Sequence, residues 1–160
     1  MEINKKSYLI ALASTTVILF LILVSSTASA TSSPTITETR ITTNPSNSVN
    51  PAIYDNRIVW QDDCNGNWDI YIFNLSTREQ THTTNTANQV SPDIYDNKVV
   101  WEDERNGGHD IYLQYLSTKK QTRITTSGKA CRPEIYDNKI VWMDGRNGGS
   151  FGEYNQPVGN

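Results

Sequence analysis

The stretch Asp62-Asp63-Cys64-Asn65-Gly66-Asn67-Trp68-Asp69 concentrates oxygen-bearing side chains in one short loop. Asp63, Asn65, Asn67 and Asp69 stand at alternate positions, the spacing at which a calcium loop turns its oxygens toward one hard cation. Two features weaken that chemistry. The glycine comes early and no glutamate holds the twelfth position, and the related stretch Glu104, Asn106, Gly108, Asp110 lacks one ligand. A hairpin whose Asp and Asn side chains cap backbone amides needs the same residue types, and the sequence favours that reading. Calcium is the one cofactor left open; no other is expected.

Little else suggests catalysis. His82 and His109 fall at non-equivalent positions and have no Cys or His at metal-ligand spacing. No Gly-x-Ser-x-Gly elbow exists, and no local motif suggests a Ser-His-Asp set. The chain is therefore expected not to be an enzyme, with no catalytic residue to name. Asn74-Leu75-Ser76 is a glycosylation sequon, whereas Asn44-Pro45-Ser46 is spoiled by its proline. Tyr54, Tyr95, Tyr136 and Trp60, Trp101, Trp142 recur at one spacing. Such aromatics could stack on sugars, but on regularly repeated strands they are expected to fill the wedge between units.

That spacing is a repeat. The block Pro51-Ala52-Ile53-Tyr54-Asp55-Asn56-Arg57-Ile58-Val59-Trp60 returns at Pro92–Trp101 and at Pro133–Trp142, with a period of 41. Residues 51–91 and 92–132 share 19 identities in 41 positions without a gap. Each unit reads as four strands, 52–55, 57–62, 69–74 and 79–84 in the first copy. Asp55-Asn56 and Asn65-Gly66 supply the positive φ that tight turns need. Ile58-Val59-Trp60 is continuously apolar and predicts a strand covered on both faces. Gln80-Thr81-His82-Thr83-Thr84 is polar and suits an outer edge.

Four strands per 41 residues describe a propeller blade, which cannot bury its faces without neighbours. The expected fold is thus all-β: a partial propeller of four-stranded antiparallel blades behind an N-terminal signal or anchor helix. Thr39-Arg40-Ile41-Thr42-Thr43 resembles the fourth strand Thr122–Thr126, so a leading fourth strand is expected before the first full blade.

The Pro-x-Ile-Tyr-Asp-Asn-Lys/Arg-Ile/Val-Val-Trp block, the three Asn-Gly loops and the two Asp-Ile-Tyr segments resemble the TolB-like, periplasmic-type propeller repeats of archaeal cell-surface proteins. The resemblance covers about Arg40 to Gly149. It implies an exported, non-catalytic module that binds a protein or cell-envelope polymer or serves as envelope scaffold. It brings no functional residues with it. The sensor or gating propeller of an extracellular hydrolase or lyase is the alternative.

Export also follows from the N-terminus. Lys5 and Lys6 precede an uncharged run, residues 8–24, and Ala28-Ser29-Ala30 is the pattern a signal peptidase accepts. The same run lies at the short edge of a bilayer span, so an uncleaved membrane anchor competes with a cleaved signal. The net charge of −3 and pI near 5.3 exclude the basic excess that nucleic-acid binding requires.

The organisation expected is 1–30 signal peptide or anchor, 31–50 leading strand and linker, 51–91 and 92–132 two blades, 133–150 half of a third, and 151–160 a divergent tail. Closed propellers have four to eight blades, so these residues alone do not close a ring. A truncated gene product, closure by oligomerising and a stable open stack remain alternatives. The edge at Ile140-Val141-Trp142 is expected to be open and to drive self-association. Cys64 and Cys131, two blade steps apart, are expected not to pair within one chain.

Overall fold

A computed structural model describes residue 33 and residues 35–146, 152–153 and 156–157. The signal or anchor segment lies outside the described residues. The chain divides into two units, Met1–Thr39 and Arg40–Asn160; the described residues of the first contain no strand. The second is entirely β among the described residues and consists of three antiparallel sheets.

The first sheet orders β1 (Ser48–Tyr54), β2 (Arg57–Asp62), β3 (Asp69–Asn74) and β4 (Gln80–His82) in sequence. The second repeats it with β5 (Gln89–Tyr95), β6 (Lys98–Asp103), β7 (Asp110–Tyr115) and β8 (Gln121–Arg123). These are blades, and the repeat sets their boundaries. Asp55, Asp96 and Asp137 hold φ values of 51°, 52° and 56° in the three β-hairpin turns, a conformation that Asp tolerates better than most residues. The continuous apolar runs of β2 and β6 are buried on both faces, as their patterning requires: Val59, Val99 and Val100 are fully buried. The fourth strands are shorter than expected, three residues each.

The third sheet pairs β9 (Ala130–Tyr136) with β10 (Lys139–Asp144), and β10 carries β11 (Gly152–Glu153) and β12 (Gln156–Pro157) on its other side. Asp144 pairs with Gly152 and Lys139 with Pro157. In the second blade the equivalent partners are Asp110 and Tyr115, so the third blade has one extra residue here. That single residue breaks the match after Gly149 in sequence, yet backbone pairing continues. Ile140 and Trp142, expected at an open edge, are buried at 0% and 5% exposure, and only Val141 is part-exposed.

Residues 35–43, expected to hold a leading strand, are not in one. A fourth strand needs a third strand beside it, and among the described residues none precedes them. Ile41 nevertheless packs against Trp60, Tyr71 and Phe73 of the first blade.

Each first strand carries a bulge at one position. Asn50, Ser91 and Arg132 have φ of 53°, 52° and 51°, each followed by proline, and the ladder slips there in all three sheets. A side chain in this region is strained, and the following proline narrows its choices further. Replacing Ser91 by glycine keeps its N–H, which donates to Gln61 Oε1 at 2.8 Å, while removing the Cβ. The Ser91→Gly chain should gain about 0.5–1 kcal/mol, read as a higher urea midpoint; an unchanged or lower midpoint would show that the bulge stores no strain.

Candidate functional site

The side chains singled out by sequence fall into three settings. The first is a buried carboxylate station at the end of each second strand. Asp62, Asp103 and Asp144 are at most 3% exposed. Each accepts the indole N–H of the tryptophan two residues earlier, Trp60, Trp101 and Trp142, and the backbone N–H two residues later. In the second and third blades Arg105 and Arg146 also donate from Nε, at 2.8 and 2.9 Å. The first blade has Cys64 at this position, and Ser46 and Ser48 donate to Asp62 instead, both at 2.6 Å.

Burial pushes the Asp62 carboxyl up, but the hydroxyls of Ser46 and Ser48, with Cys64, more than reverse it and hold it well below the usual carboxylate range. Burial likewise opposes ionisation of Asp103, and Arg105 with the Trp101 indole overcomes it. Asp144 follows the same balance through Arg146. The sequence showed these aspartates as repeated, but the partners are not local in the first blade. A tryptophan followed two residues later by aspartate at each period was the available signal.

The second setting is the loop that resembled a calcium site. Asp69 is buried, and its two oxygens accept from the amides of Asn65 and Asn67, each at 3.1 Å. Asn67 also donates to the carbonyls of Asn85 and Ala87. Asp63 turns away and accepts from the backbone and side chain of Asn47. The four residues thus bind their own loop and its neighbours rather than one common point. Among the described residues, no group of three His, Cys, Asp or Glu is arranged to hold a metal.

Beside this loop lies a cluster whose Cys64 and His82 are replaced by Arg105 and Arg123 in the second blade, while its asparagine and tryptophan contacts recur there as Asn106–Tyr112 and Trp101–Tyr112. Tyr71 bonds Cys64 Sγ at 2.9 Å and Asn65 at 2.9 Å, and stacks between Trp60 and the ring of His82. Burial, then the Cys64 thiol, raises the Tyr71 phenol far above its ordinary value. In the second blade Arg105 lies over Tyr112, 4.2 Å from the ring centroid. Cys64 is exposed and Cys131 half-buried, and both are free. Burial, then Glu102, pushes the Cys131 thiol up. A disulfide-exchange colorimetric reagent should therefore titrate two thiols, one fast and one slow. Cys64→Ser should remove the fast phase; loss of the slow phase instead would reverse the assignment.

The third setting is the inner strands. Trp60, Trp101 and Trp142 are 4%, 0% and 5% exposed; Trp101 and Trp142 pack in clusters that span two blades, whereas Trp60 packs on Tyr71 and Phe73 of its own blade and on Ile41. The tyrosines behave differently. Tyr54, Tyr95 and Tyr136 form a row from blade to blade, with centroids 4.7 and 5.0 Å apart, and Tyr136 is 73% exposed. Next to them the three bulges line an open groove of about 600 Å³, with Asn50, Asp93, Arg132 and Glu134 among its polar groups. Its prolines recur in every copy, but the polar residues beside them differ from copy to copy, so the repeat does not mark them as a group. Asn74, the sequon residue, ends β3; its Oδ1 accepts from the Ser76 and Thr77 amides.

No protein-family model matches the chain, and no curated protein matches it. Solved structures do. TolB from Acinetobacter baumannii is 20% identical, with a TM-score of 0.63 over 75% of this chain and 32% of that one. A putative TolB from Agrobacterium tumefaciens is 16% identical, with a TM-score of 0.53 over 73% of this chain and 52% of that one. The β-propeller domain of the trilobed protease from Pyrococcus furiosus, described as having an open velcro topology, is 13% identical, with a TM-score of 0.57 over 70% of this chain and 43% of that one. The chain thus spans about a third to a half of the length of these structures. At these identities the likeness is one of fold, and the fold is that of β-propeller blades.

Proposed function

We propose that the chain is a non-catalytic propeller module that works outside the cytoplasm, in binding a protein or envelope polymer or in scaffolding the envelope. The observation that supports this best is how the polar side chains are used. Those with chemical potential, the buried aspartates and the Asn-rich loop, are engaged in holding their own blade. Arg132 and Glu134, which line the inner groove, are exposed, the arrangement suited to recognition. The charged n-region, apolar run and Ala28-Ser29-Ala30 pattern support export, and in such a compartment Asn74 is a site for a glycan. Its Oδ1 holds the turn, which leaves Nδ2 for the sugar.

Co-sedimentation with the envelope fraction of the cells that make the protein tests this. The chain should be retained, Arg132→Glu should release it, and panels of peptide, ester and glycoside substrates should show no turnover. Retention indifferent to Arg132→Glu, or any turnover, would overturn the reading. The likeness to the propeller domain of the trilobed protease favours a second reading, a propeller that gates or senses for a hydrolase. Specific binding of a hydrolase in place of envelope would select it.

A further inference from the structure

The three aspartate stations are built alike except for one charge. At Asp103 and Asp144 the arginine two residues on brings its guanidinium to the carboxylate. At Asp62 that residue is Cys64, and among the described residues no basic side chain pairs with Asp62. Asp62 is nonetheless 1% exposed. Its negative charge is buried without a counter-charge, which costs free energy that a bound cation relieves.

What surrounds Asp62 in place of the guanidinium is oxygen. Ser46 and Ser48 hold their hydroxyls 2.6 Å from its two carboxylate oxygens. Ser48 lies opposite Asp62 in the ladder as Gln89 lies opposite Asp103, and there the Gln89 amide gives the carboxylate an N–H. A hydroxyl does more than an N–H: it donates to a bare carboxylate and, once turned, offers a lone pair to a cation.

Asn44 supplies the independent observation. Its Oδ1 is buried and has no hydrogen-bond partner, and among the described residues it is the one buried side-chain nitrogen or oxygen of that kind. The same amide sets Nδ2 3.3 and 3.4 Å from the two oxygens of Asp62, long for hydrogen bonds. A half-turn of the amide exchanges its nitrogen and oxygen, and the orphan oxygen then stands at that spacing from both. Oxygens about 2.3–2.6 Å from one calcium ion, and at right angles to each other, lie about 3.3–3.7 Å apart.

We infer that the Asp62 station binds a hard, oxygen-ligated cation, calcium, through Asp62, Ser46, Ser48 and Asn44, in the place that an arginine guanidinium takes in the other two blades. Water completes the shell of about six to eight oxygens that calcium requires. With one carboxylate the site is weak, with a dissociation constant of about 0.1–1 mM, as in extracellular modules. It uses none of Asp63, Asn65, Asn67 and Asp69, and it is independent of whatever the groove binds.

Terbium luminescence of the full chain tests this, because the Trp60 indole, whose Nε1 is 3.3 Å from Asp62 Oδ2, passes excitation to an ion held there. Tryptophan excitation should give terbium emission that millimolar calcium displaces, and the same calcium should raise the urea midpoint. Cys64→Arg, which gives the first blade the residue of the other two, should lose most of the emission and all of the midpoint shift. Ser48→Ala should weaken calcium binding at least about tenfold. Asp63→Asn, one residue away but turned to Asn47, should leave both readouts unchanged. Readouts that survive Cys64→Arg, an affinity unmoved by Ser48→Ala, or a loss in Asp63→Asn would place the ion elsewhere and overturn the assignment. A wild type with no displaceable emission and no midpoint shift would overturn it as well.

Discussion

Trp101→Ala is expected to lower the unfolding free energy by about 3–5 kcal/mol, the range for deleting a buried tryptophan. Trp101 has no exposed surface, and it packs across the first junction with Val59, Ile70 and Ile72 from one blade and Ile94 and Val99 from the next. The cavity opens where two sheets meet, and neither backbone can collapse into it without breaking its own ladder. The indole N–H, which donates to Asp103 at 2.8 Å, is lost as well. Against a total stability of about 5–15 kcal/mol, this change removes a large share. Chemical unfolding followed by circular dichroism provides the measurement, with Ile36→Ala at a 93% exposed position as the neutral control. A loss below about 1 kcal/mol would mean that the junction contributes little to stability.

Asp103→Ala should be as damaging, by about 3–5 kcal/mol, for an electrostatic reason. It takes the acceptor from the Trp101 indole and the Gln89 amide and leaves the Arg105 guanidinium with Gln121 alone. The Trp101 and Asp103 losses should not add, because the two side chains share a bond. The same carboxylates make stability depend on pH. Asp62, Asp103 and Asp144 are all held below their unfolded values. Their contribution is complete above the unfolded carboxyl range near about pH 4 and is lost as pH falls through their folded values. The urea midpoint should therefore be flat from neutrality to about pH 5 and fall steeply below about pH 4. Asp103→Asn should remove about one proton from that acid slope. An unchanged slope would show that Asp103 does not titrate differently in the two states.

The architecture was legible in the sequence because its causes are local and repeated. Alternation and apolar runs set the strands, Asp-Asn and Asn-Gly set the turns, and a period of 41 says that each unit meets a neighbour of its own kind. Trp101 and Trp142 sit between two blades, whereas Trp60, at the same place in the block, packs within its own blade and on Ile41. The chemistry of the loop was legible only as a choice between cation ligands and backbone caps. Alternate oxygen-bearing residues are common to both, and only side-chain direction distinguishes them. Here the amides of Asn65 and Asn67 point at Asp69.

What the tertiary structure decided is everything that depends on a neighbour. Ile53 and Ile94 are the same residue in the same block, yet one is 64% exposed and the other 4%, since burial belongs to the junction and not to the residue. Asp62 draws its hydroxyl partners from Ser46 and Ser48, outside the repeated block, where Asp103 has Arg105 two residues away. One extra residue ended the sequence match in the third blade without ending its pairing, because a ladder reads backbone groups that every residue but proline supplies in full. The fourth-strand sequence at Arg40–Thr43 forms no strand for the complementary reason: hydrogen-bonded pairing requires a partner strand, whatever the local preference for extension.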